Sequence, residues 1–144
     1  AFSENKYPGI PEIELKTIGN DPFMINEITI IPIRVWHHKL EVVAFRIGDF
    51  TYITDANKID KEQKELIKGT KVLGINALRK EKHISHFNLS EAVALINELE
   101  VEKAYLTHIS HQMGLHAIVN KQLPQHIQLA YDGLQLECSG RKCP

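Results

Sequence analysis

Residues 103–116 read KAYLTHISHQMGLH, and the reading of this stretch decides the fold. Lys103 to Thr107 is a mostly apolar run of strand length. It ends on His108, with Ser110, His111 and His116 crowded behind it. A histidine at the end of a buried strand, where the chain turns out, is placed to ligate a metal or to handle a proton. Alone, such a histidine is more often an ordinary surface or core residue. The chemical reading gains weight because His37, Asp55 and His86 occupy comparable places elsewhere in the sequence.

The surrounding chain has 144 residues and is 43% hydrophobic, enough for one domain with a real core. Its 17 Lys+Arg nearly balance 18 Asp+Glu, so charge gives no indication of nucleic-acid binding, although it does not exclude it. The basic residues are scattered, apart from Arg79-Lys80-Glu81-Lys82. No apolar stretch approaches the length of a membrane span, and no secretory pattern opens the sequence. The 2 cysteines, Cys138 and Cys143, both lie near the end and cannot staple a core; a cytoplasmic protein is the expectation. Their spacing is a weak metal or disulfide signal.

Residues 1–10 are polar and carry Pro8-Gly9, an irregular lead-in. Pro11 to Ile18 alternates Ile13, Leu15 and Thr17 against Glu12, Glu14 and Lys16, the pattern of a half-buried strand. Asn20-Asp21-Pro22 is a turn. Glu27 to Val35 is rich in β-branched residues and reads as a strand, with Pro32 marking an edge or a bulge. Glu41 to Ile47 and Phe50 to Thr54 read as antiparallel strands joined around Gly48-Asp49. Asp60 to Lys68 is a short helix, with Asp60 as N-cap and Gly69 as stop. Val72 to Ile75 is a brief strand, and Asn76 to Phe87 a basic loop carrying His83 and His86. Asn88-Leu89-Ser90-Glu91 opens the clearest helix, Ser90 to Leu99, with Ala92, Leu95, Ile96 and Leu99 on one face. After the strand Lys103 to Thr107, a helical segment spans about Gly114 to Lys121. Ile127 to Leu136 gives two short strands around Asp132-Gly133, and Glu137 to Pro144 a flexible tail. Strand-rich first, then strand and helix alternating, the order predicts a layered α/β or α+β domain.

His37, Asp55 and His108 thus fall at three strand ends, the positions from which layered α/β proteins build sites. Carboxylate plus imidazole suits zinc, manganese or iron better than calcium. Locally, Asp55 fits a turn aspartate over Ala56-Asn57 equally well. His86, just before a helix, is placed to protonate a leaving group, or simply flanks the helix. His38, His83, His111 and His116 read as solvent-facing. No Gly-rich phosphate loop and no G-x-S-x-G element occurs.

Four segments in order, IIPIRVWHHKLEVVAFRIGDFTYITDANKI, HISHFNLSEAVALI, YLTHISHQMGLH and LPQHIQLAYDGLQL, resemble the C-terminal half of a metallo-β-lactamase-fold hydrolase. The branch is similar to phosphoribosyl cyclic phosphodiesterase and to the tRNA 3′-end endonuclease RNase Z. The resemblance runs from Ile13 to Leu136. It implies an α+β fold, the four-layer αββα sandwich, with residues 1–136 its C-terminal portion and 137–144 a tail. It implies that His37 binds a first metal, Asp55 bridges two, and His108 binds the second. His37 is taken over His38 because Lys39 then falls in register. His86, followed by Glu91-Ala92 at the family spacing, resembles the acid near the scissile phosphate. The family's main ligand motif, H-x-H-x-D-H, has no match in these 144 residues. The expectation is therefore a piece of a longer dinuclear hydrolase, zinc first and manganese second, acting on a small phosphodiester or cyclic phosphate.

Alone, this piece is expected to be nearly inactive. Ile28, Ile30, Ile33, Val42, Val43 and Phe45 offer more apolar surface than one layer of helices covers. Pairing as a homodimer, or with the N-terminal half, is accordingly expected. Two other readings compete: a non-catalytic binding or assembly module, and a small domain with one structural metal.

Overall fold

The computed structural model describes residues 13–138. Seven strands form one sheet whose spatial order follows the chain. The first four make an antiparallel meander: β1 (Phe23–Ile25), β2 (Ile28–His37), β3 (Leu40–Ile47) and β4 (Phe50–Ile53). From β4 onward the strands are parallel, because a helix returns the chain before each: α1 (Lys61–Ile67) before β5 (Val72–Asn76), α2 (Leu89–Glu98) before β6 (Lys103–Thr107), and α3 (His116–Gln122) before β7 (Ile127–Leu129). A sheet that starts as hairpins and ends as crossovers is what an early run of strands followed by strand–helix alternation dictates.

Period-2 alternation decides the layers. Ile33, Val35, Ala44, Ile53, Leu73, Ile75, Ala104, Leu106, Ile127 and Leu129 share one buried cluster with Ile67 of α1, Ala92, Leu95 and Ile96 of α2, and Val119 of α3. All three helices therefore cover the same face of the sheet. On the opposite face Tyr52 is 40% exposed, Tyr105 is half-buried and Gln128 is exposed. Met24, Ile25 and Ile28, on the β1–β2 hairpin, are also exposed.

Several sequence expectations need correction. Residues 13–18 form no strand; Ile13 and Leu15 are 77% and 88% exposed. An alternating pattern makes a strand only where a neighbouring strand offers hydrogen-bond partners, and this segment has none among the described residues. The short β1 was missed, and the chain turns between it and β2 with Asn26 in the left-handed region. Past Leu129 no second strand follows. Ala130 N–H still bonds Leu106 C=O at 2.8 Å, and the chain then turns at Tyr131 to Leu134. Residues 1–12 and 139–144 lie outside the described residues, and with them the whole lead-in and most of the tail.

Pro32 does sit where β2 is locally an edge. β1 pairs only with Ile28 to Ile30, and the bridge to Lys58 lies at Trp36. Asp60 is the N-cap residue of α1, yet its side chain makes no cap bond. It accepts instead from Trp36 Nε1 at 2.6 Å and pairs with Lys58 Nζ at 2.9 Å. A half-buried indole N–H needs an acceptor more than an exposed helix end does. Gly69, at φ 78°, takes the left-handed position just past the end of α1.

α2 carries a complete capping box. Asn88 Oδ1 accepts from Glu91 N–H at 2.8 Å, and Glu91 Oε2 accepts from Asn88 N–H at 3.0 Å. Because the N-cap Asn88 lies two residues after His86, this cap also ends the loop that carries it. Asn88→Ala is expected to lower the unfolding free energy by about 1 kcal/mol. A urea melt followed by circular dichroism should show the lowered midpoint with an unchanged slope.

Candidate metal centre

β4, β5 and β6 run parallel in level register, Ile53 beside Ile75 and Asn76 beside Thr107, so their carboxyl ends finish along one edge. β2 is antiparallel to β3, and β3 to β4, so β2 delivers its last residue, His37, to the same edge. Asp55 lies two residues beyond β4, and His108 immediately follows β6. Both are left-handed, at φ 54° and 56°. For a residue other than glycine this conformation costs roughly 1–2 kcal/mol. Such strain beyond the ends of β4 and β6, on two potential ligands, marks a built feature.

The side chains converge on one oxygen. Asp55 Oδ1 is 3.2 Å from His86 Nε2 and 3.4 Å from His108 Nε2. The His86 and His108 rings stack with centroids 4.8 Å apart, and His37 meets His86 edge-on at 4.8 Å. One donor atom from each of His37, Asp55 and His86 can be chosen so that all lie within 4.8 Å of one another. The structure therefore brings His37, Asp55, His86 and His108 together. His37 faces the cluster, while His38 is exposed in the tight β2–β3 turn, at φ 57°.

His83 was expected to face solvent; instead it is half-buried against His86, Nδ1 to Nδ1 3.1 Å. Ser85, 8% exposed, sits between them. Its N–H donates to His83 Nδ1 at 3.3 Å, and its Oγ lies 3.0 Å from His86 Nδ1. An ionised carboxylate only accepts, so Nε2 of His86 carries the proton toward Asp55 and Nδ1 accepts from the Ser85 hydroxyl. Were His86 Nε2 to bind a metal, the proton would move to Nδ1 and be donated to Ser85 Oγ or His83 Nδ1. His83-x-Ser85-His86 was visible as a string, but nothing in it announced that the loop folds back on itself. His111 is exposed, and His116 Nε2 lies 3.2 Å from Leu129 C=O, away from this cluster.

Main-chain bonds lace the segments carrying these groups. Phe87 N–H donates to Ala56 C=O at 2.8 Å, Leu78 N–H to Phe87 C=O at 3.0 Å, and Ser110 N–H to Leu78 C=O at 2.9 Å. The side chain of Asn57 spans the rest of the rim. It accepts from His38 N–H at 2.8 Å and donates to Ile84 C=O at 3.1 Å.

Imidazole and carboxylate side chains gathered at this end of the sheet are donors of the kind that hold a metal ion. A family model described as the beta-lactamase superfamily domain matches residues 2–109. The chain belongs to that family. Its fold is correspondingly the metallo-β-lactamase fold. A diphosphatase of the PhnP family matches with a TM-score of 0.85 and 34% identity, over 88% of this chain and 49% of that one. Human tRNase Z, short form, matches with a TM-score of 0.61 at 15% identity, over 78% of this chain and 44% of that one, which is a likeness of fold. An octanoyltransferase from Porphyromonas gingivalis is 35% identical over 136 residues, 93% of this chain and 28% of that protein. The chain thus spans under a third of this curated relative and about half of the diphosphatase. Among the described residues no helix is long and apolar enough to cross a membrane.

Within this member of the superfamily, the imidazole of His86 is held below its ordinary value of 6.5. Burial is the first cause; the neighbouring His108, His37 and His83 add to it, and the hydrogen bond to Asp55 opposes it. The folded chain therefore resists a proton that the unfolded chain accepts. Above about 6.5 the effect vanishes, and stability is lost as pH falls from there toward the lowered folded value. Urea midpoints of the metal-free protein are expected to drop between about pH 7 and pH 5, and His86→Gln should flatten part of that drop.

Proposed function

We propose that this chain supplies one side of a dinuclear metal site in a phosphodiesterase-type hydrolase, with His37, Asp55 and His108 as ligands and His86 as general acid. The observation that carries the reading is that two imidazoles, His86 and His108, share one oxygen of Asp55, at 3.2 and 3.4 Å, with His37 against the same group. A carboxylate can bridge two ions with its two oxygens, whereas an imidazole cannot. Zinc is the proposed metal, with manganese second. Bound there, it would supply Lewis-acid polarisation of a phosphoryl oxygen.

The chain's own residues do the rest. Asp55, which only accepts, orients His86 and sets its tautomer through Nε2, and the Ser85 hydroxyl satisfies Nδ1 on the other side of the ring. That leaves a proton on Nε2, facing the site, for delivery to a departing alkoxide. The phosphodiester class follows the resemblance seen in the sequence; the similar diphosphatase, half of whose length this chain matches at 34% identity, supports a phosphoryl substrate more broadly. The transferase name is not carried over, since it describes a protein of which this chain matches 28%.

The remaining ligands would come from outside these residues, where the resemblance expects the H-x-H-x-D-H motif. The proposed partner is the segment bearing that motif, or a second copy of this chain, seated on the sheet face opposite the helices. Light scattering on the purified chain should find a dimer or a companion polypeptide; a lone monomer would remove this part of the reading. In a bis-p-nitrophenyl phosphate assay with zinc or manganese, the chain alone should turn over very slowly, because it lacks most of the metals' ligands.

A reading with a single metal held by His37, Asp55 and His86 is favoured by their common 4.8 Å spacing. It makes His86 a ligand, and one experiment separates the two. With the complementary half supplied, His86→Ala should lower turnover about 10²–10⁴-fold with metal content unchanged. Loss of metal together with activity would assign His86 to the metal.

A further inference from the structure

Asn76, the last residue of β5, is fully buried at 0% exposure, yet its side chain touches none of the four converging groups in any bond described above. What it holds is Ala56. Ala56 N–H donates to Asn76 Oδ1 at 2.9 Å, and Asn76 Nδ2 donates to Ala56 C=O at 2.8 Å. The main-chain ladder between β4 and β5 ends at Ile53 beside Ile75. Asp55, at φ 54°, then swings the chain out of strand geometry. The next peptide groups leave the ladder, and the amide of Asn76 takes its place, offering one donor and one acceptor to one residue. Among the side chains short enough for this reach, only asparagine carries both on one planar group.

The clamp extends to a second segment. Ala56 C=O also accepts from Phe87 N–H at 2.8 Å, so both of its acceptor positions are used. Ala56 directly follows Asp55, and Phe87 directly follows His86. Ala56 and Phe87 are themselves 0% and 7% exposed, so a lost partner leaves a buried polar group to be satisfied anew.

We propose that Asn76 is a positioning residue, a side-chain splint that fixes Asp55 and His86 relative to each other by clamping the residue after Asp55 and, through its carbonyl, the residue after His86. Its consequence for metal affinity rests on the function proposed above; its consequence for geometry does not. Groups that orient ligands from behind typically control metal affinity by 10–100-fold.

The experiment compares the wild-type chain, Asn76→Ala, the isosteric Asn76→Asp, and Thr70→Val. The last removes another buried polar contact of the sheet region, Thr70 Oγ1 to Thr51 Oγ1 at 2.6 Å, and serves as the control for a merely structural loss. Three quantities are read: amide hydrogen exchange at Ala56 and Phe87, zinc affinity by chelator competition, and the urea midpoint. Asn76→Ala is expected to exchange Ala56 and Phe87 at least about tenfold faster than wild type, Asn76→Asp to do so at Phe87, and both to bind zinc about 10–100-fold more weakly. Thr70→Val should lower the midpoint and leave exchange at these two amides and zinc affinity unchanged. Should Asn76→Ala fail to fold, Asn76→Asp keeps the volume and the acceptor half and decides alone. Unchanged exchange at Ala56 and Phe87 in a folded Asn76 variant overturns the proposal, as does Thr70→Val matching its effect on both readouts. If wild type binds no zinc even with the complementary half supplied, the functional reading fails, and the exchange comparison still decides the splint.

Discussion

Parallel pairing of β4, β5 and β6 is the constraint on which the site depends. Antiparallel neighbours deliver successive strand ends to opposite edges, whereas helical crossovers return every strand in the same direction. α1 and α2 are those crossovers, and they are held to the sheet by Ile67, Ala92, Leu95 and Ile96. With the three carboxyl ends level, the residues just beyond them are neighbours whatever their distance in sequence. Asp55 and His108 meet for this reason, 53 positions apart in the numbering. β2 joins them because two hairpins reverse the chain twice.

Level strand ends alone would still leave loose loops. The rim is made rigid by hydrogen bonds that take over where the ladders stop. Ala56 is bound by Asn76 and by Phe87, Leu78 by Phe87 and Ser110, and Asn57 joins the His37–His38 turn to the loop at Ile84. Left-handed residues at Asp55 and His108 are tolerated within this frame. The imidazoles then crowd at ring separations of 4.8–5.0 Å. Neutral rings bear such crowding and cations do not, which is consistent with the lowered affinity of His86 for a proton. The Asp55–His108 contact is 47% and 41% exposed at its two side chains, so as an ion pair it adds little. The cluster therefore adds little to stability.

Local pattern specified most elements because each rests on neighbours in sequence. The β-branched run of β2, the Gly48-Asp49 turn, the apolar face of α2 with its Asn88–Glu91 box, and the strand Lys103 to Thr107 all appear where periodicity and capping place them. The same logic misread Ile13 to Ile18, whose alternation met no partner strand, and Tyr131 to Leu136, which lies past the last paired residue of β7. It placed the N-cap of α1 at Asp60 correctly, although the carboxylate of that residue goes to a tryptophan 24 residues away.

For the site, the sequence by itself determined which residue types stand at strand ends, His37, Asp55 and His108, and their likeness to a known family implied roles for them. Strand-end position is a one-dimensional property, so it can be read along the chain. Only tertiary structure decided that His83 turns inward, that Ser85 fixes one face of His86, and that a buried asparagine clamps the residue beyond Asp55. These contacts join segments brought together by sheet register and loop folding. Nothing in the composition or spacing of residues 76–87 encodes which main-chain groups will be left without partners, and it is those groups that the polar side chains satisfy.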